Sequence, residues 1–161
     1  VLFRSWLPGE RVRARTDRLD SAGITAAEVC PPAFPGDAWR MVYSAWQEPP
    51  PGTVIPQHPS HDPEAVRNGQ SADFARASIA VDLAGYRSRI LLATSDDGLA
   101  WRRGPVIVEG TGSGSDEVDA IHAEDMTLAD LGDGRFRMYY AACDRHGAWR
   151  IASAVSRRST E

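Results

Sequence analysis

A partial self-similarity constrains this 161-residue chain more than any single motif does. "GDAWRMVYSAW" (36–46) returns as "GDGRFRMYYAAC" (132–143), which sets Met41 against Met138 at an offset of 97. "SRILLATSDDG" (88–98) returns more faintly as "WRIASAVSRRS" (149–159), setting Ile90 against Ile151 at an offset of 61. The two matches keep their order, so the first copy carries 36 extra residues between them. Such a pattern points to one supersecondary unit used twice, each copy burying its apolar face against a neighbour.

Each copy reads as short strands bounded by turn residues. In the first, Val29–Phe34 opens, Pro35-Gly36-Asp37 turns, and Trp39–Trp46, Arg89–Thr94 and Trp101–Val108 follow. In the second, Met126–Leu131, a "GDG" turn at 132–134, Phe136–Cys143 and Trp149–Ser156 repeat the order, and the sequence stops where a fourth strand is due. Runs apolar on both faces suit strands sandwiched between neighbouring sheets, as in propeller blades. The expectation is an all-β chain of about two blades of four-stranded antiparallel sheet.

"SDDG" (95–98) sits between the third and fourth strands of the first copy. Adjacent carboxylates near Trp101 invite a catalytic reading, but turn chemistry accounts for every residue. An Asp side chain accepts bonds from backbone amides just ahead of it, and a glycine takes the positive φ. Asp96 and Asp97 are therefore read as a turn, and Trp101 as a ring filling space between sheets.

Composition excludes more than it identifies. A net charge of −4 gives no footprint for nucleic acid, and no apolar run approaches the roughly 18 residues that would cross a membrane. All 18 basic residues are arginine, scattered in the manner of a GC-rich coding sequence rather than clustered as a clamp. "VLFRS" (1–5) has the look of a translated sequencing adaptor and is set aside, so localisation stays open. Nothing in the sequence bears on oligomeric state. Cys30 and Cys143 form neither a metal pattern nor a disulfide framework, and are expected as buried free thiols.

"RMVYSAW", "RILLATSDDGLAW" and "DGRFRMYYAA" resemble the blades of five-bladed β-propeller glycosidases, the superfamily of arabinanases, levansucrases and invertases that includes glycoside hydrolase families 43 and 32. The resemblance runs over roughly residues 24–156. It implies a partial five-bladed β-propeller: residues 6–161 as one incomplete domain, with a blade at about 24–108 and a truncated one at about 119–161. The spacing from Ser95 to Trp101 is one residue shorter than the usual sialidase box, which disfavours a six-bladed sialidase.

In that superfamily, catalytic carboxylates head the innermost strands and face a central channel. Hydrolysis of a glycosidic bond takes one acid to protonate the leaving oxygen and one carboxylate as base or nucleophile. Counting back equally from Met41 and Met138 reaches Glu28 and Asp125; allowing one gap equates Glu28 with Glu124 instead. Glu28 and Asp125 are the first candidates and Glu124 the next, although Glu124-Asp125-Met126 departs from the family's usual Arg-Asp-Pro. Asp119 and His122, in the acidic stretch "SDEVDAIHAED" (115–125), are candidate substrate contacts, while "GTGSGS" (110–115) reads as a flexible connection. Trp46 is a candidate for stacking on a sugar ring. The implied partner is a carbohydrate substrate, with no cofactor. A non-catalytic propeller that binds glycan or protein is the alternative.

The insertion, residues 49–85, begins with a proline-rich path and offers a helix start at Asp62-Pro63-Glu64, with Gly69 as a stop. Loops of that length are often lids or binding loops. His58 and His61 alone do not make a metal site and are read as surface histidines, so no metal is expected.

Overall fold

The computed structural model describes residues 18–48, 51–52, 87–112 and 114–157. Of the insertion, only residues 51 and 52 fall within these; its expected helix, His58 and His61 lie outside the described residues, as does the "VLFRS" stretch.

Among the described residues the chain is all-β, apart from one 3-10 turn at Arg18–Asp20. Strands β1 (Gly23–Cys30), β2 (Trp39–Trp46), β3 (Ser88–Ser95) and β4 (Arg102–Val108) form an antiparallel sheet in chain order. Strands β5 (His122–Asp130), β6 (Phe136–Cys143) and β7 (Trp149–Val155) form a second antiparallel sheet. The sheets are separate and packed face to face, as two successive propeller blades are.

Side chains alternate across a strand, so the nearly continuous apolar runs of β2 and β3 load both faces of the first sheet. Met41, Tyr43, Ala45, Leu91 and Ala93 pack on one face, with Trp101 and Val106 against them. Val42 and Ile90 pack on the other, against Ala123, Met126, Met138 and Tyr140 of the second sheet. Ile90 and Leu91 are fully buried, each contributing about 1.5–3 kcal/mol of transfer free energy. Cys143 is buried and Cys30 half-buried, both as free thiols.

The pairing registers reproduce the repeat. Met41 pairs with Ala93 as Met138 pairs with Ala154, and Ser44 with Ile90 as Ala141 with Ile151. The first strand of each sheet departs from expectation. β1 starts at Gly23 rather than Val29, and β5 at His122 rather than Met126. Pro31-Pro32 ends β1, because proline has no N–H for a ladder.

Each first strand also carries a bulge at a non-glycine residue with positive φ: Ala26 at 38° and Asp125 at 50°. Val29 pairs with Met41 and Leu128 with Met138, so the first strands correspond at an offset of 99, from Val29 to Leu128. The β1–β2 hairpin is two residues longer than the β5–β6 hairpin, since Cys30 pairs with Arg40 but Ala129 with Arg137. An equal count back from the two methionines crosses that difference unseen. Thr25 corresponds to Glu124, Ala26 to Asp125, and Glu28 to Thr127. The expected equivalence of Glu28 with Asp125 or Glu124 is corrected accordingly. All three acids also lie within their strands rather than just before them.

The turn at 95–98 is built as its chemistry dictates. Oδ1 of Asp97 accepts bonds from the Leu99 and Ala100 amides, both at 2.8 Å, and from the Ser95 hydroxyl at 2.8 Å. Gly98 has φ of 77°, and a Cβ there would meet the Trp39 ring at 3.2 Å. Asp96 pairs with Arg102 on the surface. The amides of Ala100 and Leu99 and the Ser95 hydroxyl hold the Asp97 carboxyl down to about 2. A folded-state value below the unfolded one means stability present above about pH 4 and lost as pH falls towards 2. Asp97→Ala is therefore expected to lower Tm near neutral pH, the gap from the parent narrowing between about pH 4 and 2 in thermal melts. A gap independent of pH removes the carboxylate from this role.

The connection between β4 and β5 is not a slack linker. Gly112 N–H bonds to the Ala120 carbonyl at 2.8 Å, and Ala120 N–H to that of Glu117 at 3.3 Å. A Cβ at Gly110 would run into the carbonyl oxygens of Asp119 and Ala120, whereas one at Gly114 meets nothing within 4 Å. The glycines expected to confer flexibility instead permit close backbone approach. Gly110→Ala is expected to cost about 1–3 kcal/mol by overpacking, with Gly114→Ala close to neutral. Equal effects in denaturant melts would refute this account of the loop.

Candidate functional site

Trp46 and His122 lie at one end of the two sheets, with Glu124 and Asp125 close behind on β5. β2 and β6 finish there, and β1, β3, β5 and β7 begin there, so Trp46 lies beside Ser88 and His122 in line with Cys143 and Trp149. The β2–β3 connection, which holds the insertion, leaves from this same end. Bonds to the first sheet fasten β5 across it, backbone amides among their donors. The Ser88 N–H donates to His122 Nδ1 at 3.1 Å, the Asp125 N–H donates to Ser44 Oγ at 2.8 Å, and the Leu128 N–H donates to Glu28 Oε2 at 3.2 Å.

Glu124 is the strongest chemical group of the set. Burial, then the adjacent Asp125 carboxylate, pushes its carboxyl up to about 7, while the Ser88 hydroxyl pulls the other way. An acid poised there is half protonated at neutral pH, as proton donation to a leaving group requires. Asp125 follows it in the left-handed conformation and is exposed. The bulge breaks the alternation that sends consecutive side chains to opposite faces of a strand.

Glu28 stands apart from that pair. It lies near the far end of β1, and its Oε2 accepts from the Thr127 hydroxyl at 2.9 Å as well as from the Leu128 amide. The structure thus brings Glu124 and Asp125 together and places Glu28 on the strand just beyond them.

His122, expected as a substrate contact, is 3% exposed and lies among aromatic neighbours. Its ring centroid lies 5.0 Å from that of Trp46 at 39°, and 5.7 Å from that of Trp149 at 1°. Burial, then the Arg87 charge, lowers its pKa to about 4, so the ring is neutral at physiological pH. With Nδ1 accepting from Ser88, the ring proton sits on Nε2. Trp46 is half-buried and Trp149 is 49% exposed. Asp119 accepts a 2.6 Å bond from the Tyr140 hydroxyl, which ties the β4–β5 connection to β6; burial and that bond together raise the Tyr140 pKa.

Trp149 and Ser44 were not singled out by sequence reasoning. A signal for both exists in the repeat. Where the copies agree, the residues serve the shared scaffold; where they differ, the scaffold does not require them. Ser44 aligns with Ala141, and Trp149 with Ser88.

No family model matches the sequence, and no curated protein matches it. Among solved structures, the chain is similar to one described as "Glycoside hydrolase" (18% identity, TM-score 0.54), with 96% of this chain covering 32% of that one. It is also similar to a structure described as a BT0996 RGII complex (18% identity, TM-score 0.53), with 95% of this chain covering 32% of that one. The chain thus spans about a third of the length of each. These likenesses establish the fold.

The electrostatics of Glu124 carry a stability signature. Its folded-state value lies above the unfolded one, so folding favours the protonated form. That contribution is fully present below about pH 4 and is lost as pH rises through about 7. Glu124→Gln, neutral at every pH, is expected to raise Tm relative to the parent at pH 8 and not at pH 4. The same Tm difference at both values would show that Glu124 is not desolvated.

Proposed function

We propose that the chain is part of a carbohydrate-active enzyme, a glycoside hydrolase, in which Glu124 donates the proton to the leaving oxygen. The observation that carries this reading is the partly buried carboxyl of Glu124, pushed up to about 7, beside the carboxylate of Asp125. A carboxyl held protonated near neutral pH is suited to the proton-donating role in glycoside hydrolysis. The fold shared with the glycoside hydrolase structure and with the BT0996 RGII complex supports a glycan as ligand. In this reading the ring faces of Trp46 and Trp149 offer stacking surface to a sugar, and His122 holds the two indoles apart. Residues 6–161 then form two blades of a larger ring, and the opposing carboxylate comes from Asp125 or from a blade beyond this chain.

A glycan-binding propeller without catalysis is the second reading, favoured by the Trp46–His122–Trp149 row. Kinetics separate the two. With a panel of aryl glycosides and the whole protein, Glu124→Gln is expected to lower kcat by at least ~100-fold. In the parent protein, activity is expected to fall as pH rises through about 7, where Glu124 loses its proton. A Glu124→Gln enzyme of near-parental turnover overturns the assignment, and glycan binding with no hydrolysis in the parent favours the binding module.

A further inference from the structure

We propose that Glu28 and Ser44 are positioning residues, through which the first sheet sets the shape of the β5 bulge that presents Glu124 and Asp125. The inference rests on the reading of that pair as the reacting acids. Its geometric basis is independent of it.

A residue with a side chain at φ of 50° occupies a sparsely populated region and persists only where its surroundings determine it. Two contacts from the first sheet bracket this one. On one side the Ser44 hydroxyl, fully buried, accepts the Asp125 N–H at 2.8 Å across the interface. Beyond the bulge, one oxygen of Glu28 accepts both the Thr127 hydroxyl at 2.9 Å and the Leu128 N–H at 3.2 Å. The bulge removes β5 from its own ladder between Glu124 and Thr127. The amide of Asp125 is satisfied by the neighbouring sheet, as a part-buried N–H must be by some partner.

The repeat isolates what is special to this place. The second sheet has Ala141 at the position of Ser44, and Thr127 at that of Glu28. Neither sheet needs a serine or a glutamate there in order to fold as a sheet. The first sheet carries both where they meet β5. A carboxylate engaged by two donors on a neighbouring strand is suited to holding that strand, and this role asks for an acceptor oxygen rather than a proton.

That difference supplies the test. Glu28→Gln keeps an acceptor oxygen, Glu28→Ala removes it, and Ser44→Ala copies the residue already tolerated at 141. In the whole protein, Glu28→Gln is expected to retain kcat within a few-fold, while Glu28→Ala and Ser44→Ala lower it by about 10–100-fold through misplacement of Glu124 and Asp125. KM should change little, and the pH limb near 7 should move only in the two alanine variants. Amide exchange followed by NMR gives a readout that needs no activity. The Asp125 amide should exchange roughly tenfold faster in Ser44→Ala, and the Leu128 amide in Glu28→Ala, with β6 and β7 unchanged. A Glu28→Gln loss as deep as that of Glu124→Gln makes Glu28 a reacting group and overturns the proposal. Unchanged exchange at both amides overturns it as well. Should Glu124→Gln alone prove fully active, the assignment of Glu124 as the proton donor fails while the exchange data still decide the clamp.

Discussion

The seam between β5 and the first sheet is the constraint on which the rest depends. β5 has to pair with β6 in its own sheet while packing against three strands of another. It meets both demands by interrupting its ladder at Asp125 and accepting partners from outside at His122, Asp125 and Leu128. Apolar packing of Val42 and Ile90 against Met126, Met138 and Tyr140 supplies the attraction across the seam. That attraction is non-directional, however, and does not specify how a strand slides or twists. The hydrogen bonds contribute about 0.5–1.5 kcal/mol each, far less than the apolar burial, yet they fix register. Packing holds the sheets together; polar contacts decide where the acids sit.

The supporting loop follows the same division. Gly110 and Gly112 draw the chain after β4 against residues 119 and 120, which leads it into β5 at His122. Asp119 then meets Tyr140, whose ring belongs to the apolar core between the sheets. Within a stretch that composition alone assigns to a solvated linker, Gly110 sits where backbones touch. Glycine content measures permission to adopt a conformation, and only the contacts say whether the permission is used for motion or for close packing.

How much of this was legible in the sequence varied with the strand. β2, β3, β6 and β7 could be read almost to the residue, because their apolar runs and their turns are local signals that tertiary structure did not overrule. The Asp97 turn was legible for the same reason. β1 and β5 were not, since Thr25, Glu28, His122, Glu124 and Asp125 interrupt the apolar pattern and the bulges at Ala26 and Asp125 break the period of two. Those interruptions coincide with the candidate site, so the strands hardest to read are the ones carrying it. The acids at 124 and 125 could be named from resemblance, but their inequality could not. It arises from burial and from a neighbour, neither of which a sequence displays. The positional equivalence of Glu28 with Asp125 failed on a two-residue difference in hairpin length, which only register reveals.

Burial of the site ties its chemistry to the docking of the sheets. His122 is buried and Glu124 partly so, and both resist becoming charged, but their costs grow in opposite directions of pH. Folding holds His122 neutral, which is unfavourable below its unfolded value near 6.5 and disfavours the docked state as pH falls towards about 4. Glu124 opposes docking as pH rises from about 4 to about 7. Neither group stabilises the seam, so the apolar core must outweigh both. Were the seam to open, water would reach Glu124, its pKa would fall towards the ordinary carboxylate range, and the proton it holds at neutral pH would leave. The protonated acid is therefore a property of two sheets in contact rather than of β5 alone. A change that loosens β5 from the first sheet acts on the proton at Glu124 through its hydration.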